Sequence, residues 1–301
     1  MKLELYKHFQ AGFAKKQQLR TSEGGDWRGG NSGCMTEDGT IIGYNPRHTV
    51  LRHLGVEKRV TLDDDLIFDA GFRNEDHLTE LLGLAGVRYK CEEDIPVAWA
   101  LPNGQTITGR PDIVVGLDGD SWVPHYGIEV KLISSNGKMM AHSHFGEANP
   151  NAKHVCQGAH YSSKFGIDWV LAYISRAHYT SFYWRPDRFQ FEHRSMLVDE
   201  SNGKVIKVGP FMSLYDLTWD GDKLLIDDKP TIITASGIER YYQYCSDCVK
   251  NEVIPERGGE VDIFGKKVDK NENVLYDDFN GATEVSFEAW VADCREIAEA
   301  L

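Results

Sequence analysis

The segment Tyr126-Gly127-Ile128-Glu129-Val130-Lys131-Leu132-Ile133 restricts the folds open to this chain more than any other. On a strand, alternation turns Ile128, Val130 and Leu132 to one side and Glu129, Lys131 and Ile133 to the other. A carboxylate and an ammonium sharing one face of an otherwise apolar strand point to a site, because buried charge is costly without a partner.

The surroundings supply a frame. Strand-like runs at 95–101, 107–117 and 122–133 are separated by Pro102-Asn103-Gly104 and Asp118-Gly119-Asp120, which predicts a three-strand meander. Residues 134–153 have no period and read as a long loop. A helix over 152–165 and an apolar strand over 169–174 follow, completing an α/β unit. Upstream, Leu78, Leu81, Leu82 and Ala85 share a helical arc, predicting a helix over 66–85 that Gly71 lets begin and that Gly83 and Gly86 close.

The flanks are less regular. Residues 1–60 pass through Gly24-Gly25, Gly29-Gly30 and Gly33 and read as a loop-rich entry segment. Residues 61–187 form the expected core, and 188–301 a C-terminal extension packed on it. Within that extension, short strands turn at Asn202-Gly203 and Asp220-Gly221, and a helix spans 286–301. The expected fold is α/β, a central mixed sheet flanked by helices, with a β-rich and helical extension.

Length and composition exclude several classes. With 301 residues, 41% hydrophobic and 26% charged, the chain is neither disordered, collagenous nor a small disulfide scaffold. The longest apolar run, 169–174, is far short of the ~20 residues a membrane helix needs, and 1–20 lacks a signal core. A cytoplasmic protein with no membrane partner is expected.

The net charge of −13 argues against a general nucleic-acid binder, but it is unevenly spread. Residues 61–130 carry 14 acidic and 4 basic side chains, and 131–190 carry 3 and 7. Carboxylates beside lysines and histidines suit a cation site next to a phosphate-binding surface; uneven surface charge is the plainer reading.

The chemistry rests on Pro111-Asp112 followed by Glu129-Val130-Lys131. An adjacent strand ending at Asp112 brings its carboxylate beside Glu129. Two converging carboxylates bind a hard divalent cation such as Mg²⁺, and a neighbouring ammonium can orient or activate the water that attacks a phosphodiester. In the loop and helix beyond, Lys138, His142, His144, Lys153, His154, His160 and Lys164 can reach phosphates. Of these, Lys153 and Lys164 are the expected DNA contacts.

Taken in order, these motifs resemble the PD-(D/E)XK nuclease superfamily, over residues 68–175. Gln157-Gly158-Ala159-His160-Tyr161 is similar to the Gln-x-x-x-Tyr motif of its RecB-like branch, and Gly71-Phe72-Arg73-Asn74-Glu75 resembles the phage exonuclease pattern. The resemblance implies a restriction-endonuclease-like core. It makes Asp112, Glu129 and Glu75 the ligands of Mg²⁺ or Mn²⁺, with His77 the alternative to Glu75. It implies Lys131 at the attacking water and Gln157 and Tyr161 against DNA near the scissile phosphate.

The activity so implied is a DNA exonuclease acting at strand ends, in phage recombination or DNA processing, with a single-strand annealing protein as partner and a homo-oligomer as a possible assembly. The alternatives are an endonuclease, a CRISPR-adaptation-like end processor, or a non-catalytic DNA-binding or structural protein of the same fold.

Some RecB-like nucleases carry an iron–sulfur cluster on one upstream and three downstream cysteines. Cys34 with Cys245 and Cys248 fits part of that pattern, but 249–255 holds no cysteine and Cys294 lies far beyond. An iron–sulfur cluster or zinc held by Cys34, Cys245, Cys248 and Cys294 stands beside the reading of ordinary thiols.

Overall fold

The structure, a computed structural model, describes residues 11–12, 25, 27–57, 60–91, 94–95, 97–101, 103–117, 121–133, 150–175, 197–199, 204–207, 212–258, 261–266, 279 and 281–300. Lys138, His142, His144, the Asn202-Gly203 turn and the expected boundary at 187 lie outside them.

A seven-stranded mixed sheet organises the chain. Its strands are β4 (Tyr89–Cys91), β7 (Ile113–Gly116), β8 (Pro124–Ile133), β9 (Asp168–Ser175), β12 (Met212–Asp220), β13 (Lys223–Ile226) and β14 (Lys229–Thr234), side by side in that order. All neighbours are antiparallel except β8 and β9. That parallel pair requires a crossover, which contains the helix Ala152–Phe165. Asn151 caps this helix through its side chain, and Gly166 ends it in the left-handed region at φ 65°.

Counting helices α1 (Pro46–His53), α2 (Leu62–Leu84), α3 (Ala152–Phe165), α4 (Ala235–Lys250) and α5 (Phe287–Ala300), the sheet is covered on both faces. Ile113, Val115 and Val130 pack beneath Leu78 and Leu82 of α2. The opposite face, with Trp169 and Leu171, joins the main core with α3, α4 and α5. Gly127 faces Trp169 so closely that a Cβ there would sit 2.2 Å from the indole.

Three expectations change. The run 107–117 is not one strand. It splits at Arg110-Pro111-Asp112 into β6 (Thr106–Gly109), which joins β1 (Trp27–Arg28) and β5 (Val97–Ala100) in a separate sheet, and β7 in the main one. Pro111 has no N–H for a ladder, so the chain changes sheets there. The place of a third meander strand falls to β4, which pairs with β7.

Helix α2 starts at Leu62, so Gly71 lies inside it, with nothing near its Cβ direction. The helix closes after Leu84 by Val87 N–H donating to Leu82 O and Gly86 N–H to Gly83 O, with Gly86 at φ 74°.

Within residues 27–57 the chain is regular: β2 (Gly33–Met35), β3 (Ile41–Gly43) and α1 place Cys34, Ile41, Ile42, Val50 and Leu51 in the core. Gly33 is there because the Tyr241 ring lies against it, 2.5 Å from an added Cβ. The 188–301 part is continuous with the core, since β12 pairs along β9 and extends the same sheet. A small hairpin, β10 (Leu197–Asp199) with β11 (Lys204–Lys207), stands apart in pairing.

Helix α4 was not anticipated. Ile238, Tyr241, Tyr242, Cys245 and Cys248 recur at helical spacing and are buried. The Cys245–Cys248 spacing is therefore that of one helix face turned into the core. Among the described residues, no helix is long and apolar enough to cross a membrane.

Candidate active site

Where the chain leaves β6 and enters β7, Asp112 is buried, and its Oδ2 accepts the backbone N–H of Val130 at 2.7 Å. The side chain takes the place of a carbonyl in the β7–β8 ladder, which fixes it beside Glu129. Glu129 is fully buried, and its Oε1 accepts from Lys131 Nζ at 2.5 Å. Its other oxygen, Oε2, is buried with no hydrogen-bond partner.

Two carboxyl groups this close in an apolar setting cannot both ionise cheaply. Burial, ahead of all else, raises Asp112. Burial first and the Asp112 carboxylate second push Glu129 up to about 8. Burial also acts against the charged form of Lys131, but Glu129, Asp112 and Glu75 outweigh it and hold the ammonium above the ordinary lysine value. The cluster thus contains a cation, two carboxyl groups that burial biases toward their protonated forms, and a buried Glu129 oxygen with no hydrogen-bond partner.

Glu75 and His77 separate clearly. The charge of Glu75 reaches both Glu129 and Lys131. His77 lies 63% exposed, with Nδ1 3.6 Å from Glu80. The two sit on different edges of α2, and Glu75 is on the edge toward the cluster.

Helix α3 contributes support more than contact. Tyr161 is 2% exposed; it packs over Gly109, where a Cβ would be 2.6 Å from its ring, and donates its hydroxyl to Arg110 O at 3.4 Å. It steadies the turn that carries Asp112, so a direct DNA contact by Tyr161 is replaced by a positioning role. Gln157 is partly buried beside Gly30. Lys153 Nζ lies over the Tyr44 ring at 5.3 Å. Lys164 is committed to Glu239 at 2.6 Å, with its side chain only 18% exposed, which removes it from the expected DNA contacts.

The histidines divide similarly. His160 is buried against Trp99, and burial pushes it down to about 3. His154 Nδ1 lies 2.9 Å from the Tyr173 hydroxyl, which also accepts the Asn151 N–H at 3.0 Å. Burial, then Lys131 and Lys153, hold His154 well below the ordinary value, so it is a neutral imidazole near the cluster.

Tyr173 and Arg110 were not singled out from sequence. Tyr173 is in register with Lys131 across the parallel pair, and so shares its face of the sheet. Arg110 is exposed immediately before Pro111, inside the motif that supplied Asp112. Parallel register and motif adjacency are the signals that identify them.

The cysteines form no disulfide, and Cys34, Cys156, Cys245, Cys248 and Cys294 are buried. Cys34 faces Thr234 O and Gly237, at the start of α4, while Cys245 and Cys248 lie turns further along it. Among the described residues, no three or more His, Cys, Asp or Glu side chains converge as a ready metal cluster. The acidic centre is accordingly a carboxylate pair with Glu75 at longer range. Comparison with protein-family models, with curated proteins and with solved structures gave no match.

Proposed function

We propose that this chain is a metal-dependent deoxyribonuclease that acts at DNA ends. The observation that carries the reading is the buried Asp112–Glu129–Lys131 cluster, in which Glu129 Oε2 lies buried and unpartnered. The order helix α2, strands β4, β7 and β8, helix α3 and a β9 parallel to β8 supports a restriction-endonuclease-like core.

The donor set fits Mg²⁺ or Mn²⁺. Asp112 and Glu129 would hold the ion, with Glu75 alongside, and water and phosphate oxygens filling the remaining positions, as is usual for Mg²⁺. When bound, the ion supplies positive charge that stabilises the phosphorane-like transition state and favours ionisation of water. Lys131, held protonated by its neighbours, acts as a donor that orients the attacking water and the scissile phosphate. Tyr161 holds the Arg110–Asp112 turn, and exposed Arg110 meets the DNA backbone. The reading extends to an intracellular enzyme of phage recombination, paired with a single-strand annealing protein.

The test is release of nucleotides from end-labelled linear duplex and single-stranded DNA, beside a covalently closed circle, with Mg²⁺ or Mn²⁺. Wild type degrades linear DNA alone, and Lys131→Ala abolishes it. Cutting of the circle makes the chain an endonuclease; no cleavage under any condition removes the nuclease reading.

A further inference from the structure

The face of the sheet that carries Glu129 and Lys131 continues onto the next strand. The β8–β9 register sets Lys131 against Tyr173, and neighbouring strands run about 4.8 Å apart, so the two side chains rise together on the side covered by α3. The first turn of α3 is fastened to this spot twice. The Tyr173 hydroxyl accepts the Asn151 N–H at 3.0 Å, and His154 Nδ1 lies 2.9 Å from the same oxygen. His154 is thereby held over the end of the β8–β9 pair, on the same side of the sheet as Glu129 and Lys131.

The two bonds also place the proton of the imidazole. A phenol oxygen that accepts an N–H still has its own proton to donate, and among the described residues Nδ1 is the acceptor within reach. Nδ1 therefore accepts, and the neutral ring carries its proton on Nε2. Burial first, then Lys131 and Lys153, oppose a second proton. Nε2 is on the ring edge away from Tyr173, His154 is only partly buried, and no described residue bonds Nε2. Anchoring α3 uses Nδ1 alone, so the outward N–H is surplus to the fold. With its lone pair occupied by Tyr173, the ring is not set up to ligate a cation. A neutral imidazole is a very weak acid, and its N–H serves instead as a hydrogen-bond donor to an oxygen that gains negative charge.

We infer that His154 is a further catalytic residue, which donates Nε2–H to a non-bridging oxygen of the scissile phosphate beside the Lys131 ammonium, with Tyr173 as its positioning residue. The inference rests on the nuclease reading and goes beyond it by adding a donor that is neither a metal ligand nor a charge. A donor aimed at an oxygen on which charge grows in the transition state acts on kcat more than on KM.

The experiment uses the full chain and the variants His154→Ala, His154→Leu, His154→Gln and Tyr173→Phe. In protein labelled with ¹⁵N-histidine, without metal or DNA, the Nδ1 resonance that vanishes in His154→Gln should be that of an unprotonated nitrogen, and it should move in Tyr173→Phe. In nucleotide release from linear DNA with Mn²⁺, His154→Ala should lower kcat about 10²-fold, the size of one lost oxyanion donor. KM and the rise of Tm on adding Mn²⁺ should not change. His154→Leu fills the space without a donor and should fall as far, which separates the lost bond from lost packing. His154→Gln, whose amide can place an N–H near the position of Nε2, should return to within about tenfold of wild type. Sulfur accepts hydrogen bonds weakly, so one phosphorothioate diastereomer at the scissile linkage should slow wild type more than it slows His154→Ala.

A protonated Nδ1, a normal kcat in His154→Ala and His154→Leu, or equal phosphorothioate slowing in wild type and variant overturns the inference and leaves the nuclease reading standing. Loss of the Mn²⁺ rise in Tm in His154→Ala makes the imidazole a metal ligand and overturns the donor role. No cleavage by wild type under any condition overturns the nuclease reading and this role with it, an outcome distinct from normal cleavage by the variants.

Discussion

The Asp112 carboxylate continues the hydrogen-bond ladder of the central sheet by accepting the Val130 N–H at 2.7 Å. Fold and candidate chemistry thus share one side chain. Asp112→Asn keeps an acceptor there and should leave urea stability within about 1 kcal/mol of wild type. Asp112→Ala leaves the buried N–H unpaired and should cost about 1–3 kcal/mol. Both variants should lose Mn²⁺-dependent cleavage, so matched urea titrations and activity assays separate the two duties.

Glu129 gives the site a pH signature. Its carboxyl rises from 4.5 to about 8 on folding, through burial and then Asp112. A group raised in this way lends stability that is fully present below pH 4.5 and is lost as pH climbs through about 8, because the folded state binds the extra proton. In EDTA, the fall in Tm between pH 5 and pH 8 should be smaller in Glu129→Gln than in wild type. Mn²⁺ should raise wild-type Tm most at pH 8, where the pair is nearest ionisation, and leave Glu129→Gln unmoved. An identical pH slope in the two proteins would dismiss the shared proton.

Tyr161 acts through packing on Gly109, and that is testable from the glycine side. A methyl at Gly109 would meet the ring at 2.6 Å, so Gly109→Ala should cost about 1–3 kcal/mol by overpacking. It should also lower kcat and raise KM together, because the displaced turn carries Asp112 and the exposed Arg110 alike. Tyr161→Phe, which removes only the 3.4 Å contact to Arg110 O, should be milder in both respects.

The cysteines of α4 should behave as core hydrophobes. Cys245 is wholly buried and Cys248 nearly so, and burial raises both thiols. Neither should react with a thiol reagent in seconds in the native protein, and both should react at once in guanidinium. Cys248→Ala should leave Mn²⁺-dependent nucleotide release unchanged and bring no loss of bound iron or zinc by elemental analysis. A fall in either would reinstate a cluster.

Local patterns predict the elements with a clear apolar pattern of their own: α3, β9, α5 and the alternation of β8. They failed where tertiary packing sets the meaning of a residue. Gly33 reads as a turn former, yet it makes room for Tyr241. Cys245 and Cys248 read as ligands or as ordinary thiols, because their spacing is shared by chelating loops and by one helix face. Leu81 belongs to the apolar arc of α2 and is nevertheless 48% exposed, whereas Leu78 and Leu82 meet the sheet. Asp112, Glu129 and Lys131 could be located from motif order, but Tyr173 could not, because its place beside Lys131 depends on the register of two strands joined by a crossover.

Lysines near a site differ in what their charges are already doing, and this gives a test based on salt. Lys164 is held at 2.6 Å by Glu239, so its charge is largely neutralised before DNA arrives. Arg110 is exposed beside the cluster. Each phosphate neutralised by the protein releases counterions and steepens the dependence of binding on salt by about one unit of log K per log salt. Arg110→Ala should therefore weaken oligonucleotide binding and reduce that slope by about 1, with specificity unchanged. Lys164→Gln should leave the slope where it is and cost only the small stability of a partly exposed ion pair. A slope that falls on removing Lys164 and not Arg110 would place the DNA track along α3 and α4 instead of across the β6–β7 turn.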